Sequence, residues 1–89
     1  MTRLALDPAI VETTILRLLA ERGSGKTISP TEAATVLATG PDWHLAMTPV
    51  RRAAIKLALA GQIVIYRKGK PVDPQDFKGV YRLGLPRHD

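Results

Sequence analysis

The sequence predicts a small α+β domain, mainly helical, and three observations predict it. Apolar residues recur at helical spacing in three segments, each opened by a capping residue and a proline: Asp7-Pro8, Ser29-Pro30 and Thr48-Pro49. Two short alternating segments, residues 62–67 and 80–85, follow the last of these. Residues 68–79 between them are rich in Gly, Pro, Asp and Lys, the composition of a long hairpin loop.

Asp7 caps the first helix, and Pro8 occupies its first position, where the missing N–H costs nothing. Ile10, Val11, Thr14, Ile15, Leu18 and Leu19 then give one apolar face, with Arg17, Glu21 and Arg22 on the other side. Gly23-Ser24-Gly25 ends this helix. Lys26-Thr27-Ile28 reads as a short extended piece. Ser29-Pro30-Thr31-Glu32 reads as a capping box, with Ser29 as the cap and Glu32 reaching back to its N–H. The short helix that follows turns Ala33, Val36 and Leu37 inward and stops at Gly40-Pro41. Residues 42–47 form a helical turn that seats Trp43 in the core. Thr48-Pro49 then opens a helix over 49–60. Val50, Ala53, Ala54, Leu57, Ala58 and Ala60 are its inward set, and Arg51, Arg52 and Lys56 lie on its open side beside Ile55 and Leu59.

In the strand 62–67, Ile63 and Ile65 share one face, while Val64 and Tyr66 take the other. Residues 80–85 return as its partner, with Tyr66 and Tyr81 expected as a cross-strand pair, and Pro86 ends the strand. The order is helix, short strand, helix, turn, helix, strand, loop, strand. That is the order of a winged helix: a three-helix core with a helix-turn-helix and a C-terminal two-stranded hairpin as the wing.

A chain of 89 residues suits a single domain over 1–89, with its core in 8–86 and short frayed termini that include His88. Hydrophobic residues make up 45% and charged residues 24%, which argues against disorder. There is no cysteine, so disulfides, thiolate metal sites and thiol nucleophiles are excluded. No stretch approaches the ~20 apolar residues of a membrane span. Asp7 and Pro8 interrupt the N-terminal apolar run that a signal peptide would need. These features lead to the expectation of a soluble, cytoplasmic protein. The net charge of +5 is uneven. Residues 1–47 carry four basic and five acidic side chains, whereas residues 48–86 carry eight basic and two acidic ones. A basic half on an otherwise neutral domain is the footprint of a polyanion site.

Several phrases together resemble a small bacterial family known only as a domain of unknown function with a winged-helix-like fold. They are Ile15-Leu16 with Leu18-Leu19, Gly25 to Ala33, Trp43 with Met47, Val50-Arg51, Ala60-Gly61 with Ile63, Gly69, Val72-Asp73-Pro74, and Gly79 with Arg82-Leu83. They span residues 15 to 83, and the phrases around Lys26–Glu32 and Val72–Pro74 are the most specific. The family pattern favours a Ser where Thr31 stands, an Arg where His44 stands and Pro-Ile where Val80-Tyr81 stand. An Arg at the position of His44 could reach a phosphate that a neutral His cannot. The resemblance implies the fold and no activity.

The candidate nucleic-acid contacts follow from the predicted placement. Arg51, Arg52 and Lys56 sit on the helix expected to enter the major groove, where Arg reads guanine through O6 and N7. Arg67, Lys68, Lys70 and Lys78 surround the wing, where lysines hold phosphates. Lys26 lies before the second helix, within reach of a phosphate there. Gly25-Lys26-Thr27 is not a P-loop, because Ala20 stands where that loop needs its first Gly. Asp73 reads as a loop-fixing turn residue rather than a catalytic acid. His44 and His88, without Cys, are too few for a metal site. No nucleophile, carboxylate pair or cofactor motif is legible. The expected function is therefore noncatalytic binding of nucleic acid, duplex DNA, by a monomer or weak homodimer without cofactor. The alternative is a protein-interaction module that uses Ile55, Leu59 and the wing on an unidentified protein partner.

Overall fold

A computed structural model describes residues 7–23, 25–38 and 40–86. The expectations for Ser24 and for frayed termini, His88 included, lie outside those residues. The described chain runs through helix α1 (Pro8–Arg22), strand β1 (Thr27–Ile28), helix α2 (Pro30–Leu37), a 3-10 helix (Pro41–Ala46) and helix α3 (Met47–Leu59). Strands β2 (Val64–Arg67), β3 (Lys70–Pro71) and β4 (Arg82–Gly84) complete it. The architecture is α+β and mainly helical, with a four-stranded antiparallel sheet in the order β1-β4-β2-β3. Among the described residues no helix is long and apolar enough to cross a membrane.

The first two helix starts form as their sequences dictate. Asp7 Oδ1 accepts from the Ala9 N–H at 2.9 Å and caps α1. Ser29 Oγ accepts from the Glu32 N–H at 3.2 Å, and Glu32 Oε1 accepts from the Ser29 N–H at 3.1 Å, so the capping box is complete. Ser29→Ala should therefore cost about 1 kcal/mol. A melting temperature unchanged within error would remove Ser29 from that role.

The third start differs. The 3-10 helix runs straight into α3, so Thr48 already lies inside the helix and no side chain caps it. Pro49 is tolerated because first-turn N–H groups have no partner within the helix. The same continuity moves Trp43. It packs half-buried on the rim of the core rather than inside it, and Ala46 fills the interior position on that turn.

The core lies between the three helices and one face of the sheet. Its largest fully buried side chains are Val11, Ile15 and Leu19 of α1, Ile28 of β1, Val50 of α3, and Ile63, Ile65 and Leu83. Ile10 and Val36, expected inward, are exposed, and Ala34 is the buried residue on α2 beside Ala33. Ala58 is half-buried and Ala60 exposed, because α3 ends at Leu59 and the chain turns away through Gly61.

The hairpin also departs from expectation. Residues 68–79 do not form one long loop. Lys68 and Gly69 alone turn the chain, with φ of 52° and 80°, so that Arg67 pairs with Lys70 and Tyr66 with Pro71. Two successive left-handed residues match the twist of an antiparallel pair. Strand β4 pairs with the other edge of β2, placing Arg82 opposite Tyr66 and Leu83 opposite Ile65. Tyr81 therefore does not face Tyr66. It lies buried just ahead of β4.

Candidate nucleic-acid interface

The basic residues separate into those that hold the fold and those that face solvent. Arg51 belongs to the first group, against the expectation that it lies on the open side of α3. Its Nη2 donates to the Phe77 carbonyl at 2.9 Å, and its guanidinium carbon sits 4.1 Å from the Phe77 ring centre and 5.6 Å from that of Tyr81. Phe77 meets Tyr81 edge-on at 5.1 Å. The loop after β3 folds back over α3 and brings Phe77, with Tyr81 beside it, down onto Arg51, which is left half-buried while Arg52 and Lys56 stay exposed.

Arg67 grips the same loop from the sheet. Its Nε donates to the Val80 carbonyl at 3.1 Å, and its side chain lies so close to Gly79 that a Cβ there would fall 2.9 Å from Nη2. Arg51 from α3 and Arg67 from β2 thus pin residues 77–80 from two sides and position Lys78 between them. Lys56 is exposed, with Nζ 3.2 Å from Glu12 Oε2 of α1. A surface pair of this kind contributes little stability, so Lys56 remains available to a polyanion.

Arg52, Lys68, Lys70, Lys78 and Lys26 are exposed, and among the described residues none has a carboxylate within salt-bridge distance. Arg52 projects from α3, Lys68 lies in the turn between β2 and β3, Lys70 opens β3, and Lys26 immediately precedes β1. Asp73 acts as its sequence predicts: Oδ1 accepts from the Gln75 N–H at 2.9 Å and shapes the turn.

Two features escaped the sequence reading. Phe77 is the chain's only phenylalanine, alone among polar and turn residues, and that isolation was the available signal. The other is a charged cluster at Glu32. Its carboxylate pairs with Arg22, and its Oε1 lies 3.9 Å from Arg82 Nη2. The Ser29 N–H is the main cause holding Glu32 below its ordinary carboxylate value. Partial burial works against this, and Arg22 and Arg82 assist it. A lowered folded-state value means that the associated stability is fully present above 4.5 and is lost as pH falls through the folded value. Glu32→Gln should therefore flatten the acid side of the stability curve, as read by urea unfolding at pH 7 and pH 3. An unchanged acid limb would show that other carboxylates govern it. Burial pushes the Tyr81 phenol up, with Arg51 opposing, so ionising Tyr81 destabilises the fold only on the alkaline side.

An apolar groove of about 390 Å³ runs between the start of α2 and the segment Gly79–Arg82, with Met47 and Val80 among its walls. Val80 is 85% exposed and Leu59 56%, whereas Ile55 is half-buried.

A family model described as "Protein of unknown function (DUF3253)" matches residues 8–86. The match bears out the resemblance to a domain of unknown function drawn from residues 15 to 83. No curated protein matches the chain.

Proposed function

This chain belongs to the DUF3253 family of proteins of unknown function, and we propose that it is a noncatalytic winged-helix module that binds nucleic acid, duplex DNA, through α3 and the β2–β3 turn. The strand order supports the winged-helix assignment. Strand β1, between α1 and α2, pairs with β4, and β4 pairs with β2, so the hairpin extends from the helical core as a wing does. The short helix α2, the 3-10 helix and α3 then stand as the helix-turn-helix, with α3 as the recognition helix.

The observation that carries the binding function is the sorting of cations. Arg51 and Arg67 are consumed by the fold, whereas Arg52, Lys68, Lys70 and Lys78 are exposed without carboxylate partners among the described residues. Lys68 also holds a left-handed backbone at φ 52°, a conformation that costs a side-chain-bearing residue roughly 1–2 kcal/mol. Asn or Gly would turn the chain there more easily, and a lysine in this strained position supports a use for its charge. In this reading Arg52 faces base edges and the lysines hold phosphates. The module works as a cytoplasmic monomer or weak homodimer without cofactor.

The test is titration of the protein against random-sequence duplex and single-stranded oligonucleotides at two salt concentrations. Duplex binding should weaken with salt, with a slope in log affinity against log salt of about −0.9 per phosphate contacted. No binding to any duplex at low salt would overturn the reading. The protein-interaction alternative would then lead. The apolar groove beside Val80 and the exposed Leu59 favour that alternative, and Ile55 contributes less because it is half-buried.

A further inference from the structure

The outer face of the sheet carries a cleft beside the β2–β3 turn whose aromatic wall, Tyr66, the duplex reading does not use. Cross-strand partners point to the same side of a sheet, so Tyr66 shares that face with Arg82 of β4 and Pro71 of β3. Position 84 opposite Val64 is a glycine, and the Tyr66 ring lies down over it. A Cβ at Gly84 would fall 2.9 Å from Tyr66 Cε2 and 3.4 Å from Thr27 Cγ2. Arg82 is held beside the ring: Nε donates to Thr27 Oγ1 at 2.7 Å and Nη2 to the Thr27 carbonyl at 3.2 Å. Its Nη1 makes no hydrogen bond among the described residues. The Lys68-Gly69 turn closes the far end. The resulting cleft, of about 120 Å³, is lined by Thr27, Tyr66, Lys68, Gly69 and Arg82. Of these lining residues Lys68 and Arg82 are cationic and none is acidic, while the Glu32 carboxylate nearby pairs with Arg22 and lies 3.9 Å from Arg82 Nη2.

A plain anion site would not need the ring, and a plain apolar site would not place two cations beside it. A π-face next to fixed positive charge suits a nucleotide, whose base stacks while its phosphate meets the cations. Bases inside a duplex have both faces covered, so the base must be unpaired. We propose that the Tyr66 cleft stacks an unpaired nucleobase and holds its phosphate between Lys68 and Arg82, so that the protein prefers nucleic acid with a single-stranded nucleotide beside a duplex. This inference rests on the nucleic-acid reading above and narrows its substrate.

The experiment compares a blunt duplex with the same duplex bearing a short single-stranded overhang, by anisotropy titration of the full chain at one salt concentration. The overhang should tighten binding by about five- to a hundredfold, the range that stacking of one base on an aromatic side chain supplies. Tyr66→Phe keeps the ring and should keep the preference. Tyr66→Leu keeps apolar bulk over Gly84 and should lose the preference while binding the blunt duplex as before. Equal binding of both oligonucleotides by the unaltered protein, or a preference that survives Tyr66→Leu, overturns the inference and leaves the duplex reading standing. Binding of the overhang without the blunt duplex upholds the inference and overturns the duplex reading. Binding of neither overturns both.

Discussion

Phe77→Ala is expected to cost about 3–5 kcal/mol of folding stability, the range for deleting a buried aromatic side chain. Phe77 is 7% exposed and is held by three contacts: Arg51 stacks on its ring, Tyr81 meets that ring edge-on, and its backbone carbonyl accepts from Arg51 Nη2. Truncation would leave a cavity beneath the loop and a half-buried guanidinium without the nearer of its two π-faces. A domain of this length has a total stability of roughly 4–13 kcal/mol, so the variant should be close to unfolding at ambient temperature. Urea unfolding at neutral pH reads the effect directly. Phe77→Leu, which retains most of the volume, should recover a large part of the loss. A cost below about 1 kcal/mol for the alanine variant would mean that the loop after β3 does not hold the fold together.

Replacing Lys68 and Lys70 together with Ala should weaken binding to all duplex sequences alike. It should also flatten the slope of log affinity against log salt by up to about 2, because two phosphate contacts are removed. Folding stability should change little, since both side chains are exposed and neither has an ion-pair partner among the described residues. Arg52→Ala should differ in kind. A residue that faces base edges contributes to sequence preference, so its loss should relax whatever preference the protein has. Arg51→Ala, by contrast, should act through stability, because its guanidinium is spent on Phe77. If the double lysine variant kept both the affinity and the salt slope, the β2–β3 turn would be no part of the interface.

Local chemistry was legible in the sequence wherever a few neighbouring residues settle the matter. The Asp7 cap, the Ser29–Glu32 capping box, the Asp73 turn and the alternation of Ile63 and Ile65 form as read, because each depends on contacts within about four residues. The α+β class followed from the same periodicities. Tertiary structure decided what depends on distant partners. Whether Thr48 could cap depended on the 3-10 helix that precedes it, and whether Trp43 could enter the core depended on Ala46 occupying the interior of that turn. Periodicity placed Arg51 and Arg52 alike on the open side of α3, yet Phe77, 26 positions beyond Arg51, covers the first and leaves the second exposed. The same holds for Tyr66 and Tyr81: the register of β4 against β2 puts Arg82 opposite Tyr66 and sends Tyr81 into the core. A sequence pattern states which side of an element a residue occupies, whereas burial on that side depends on what the rest of the chain lays over it.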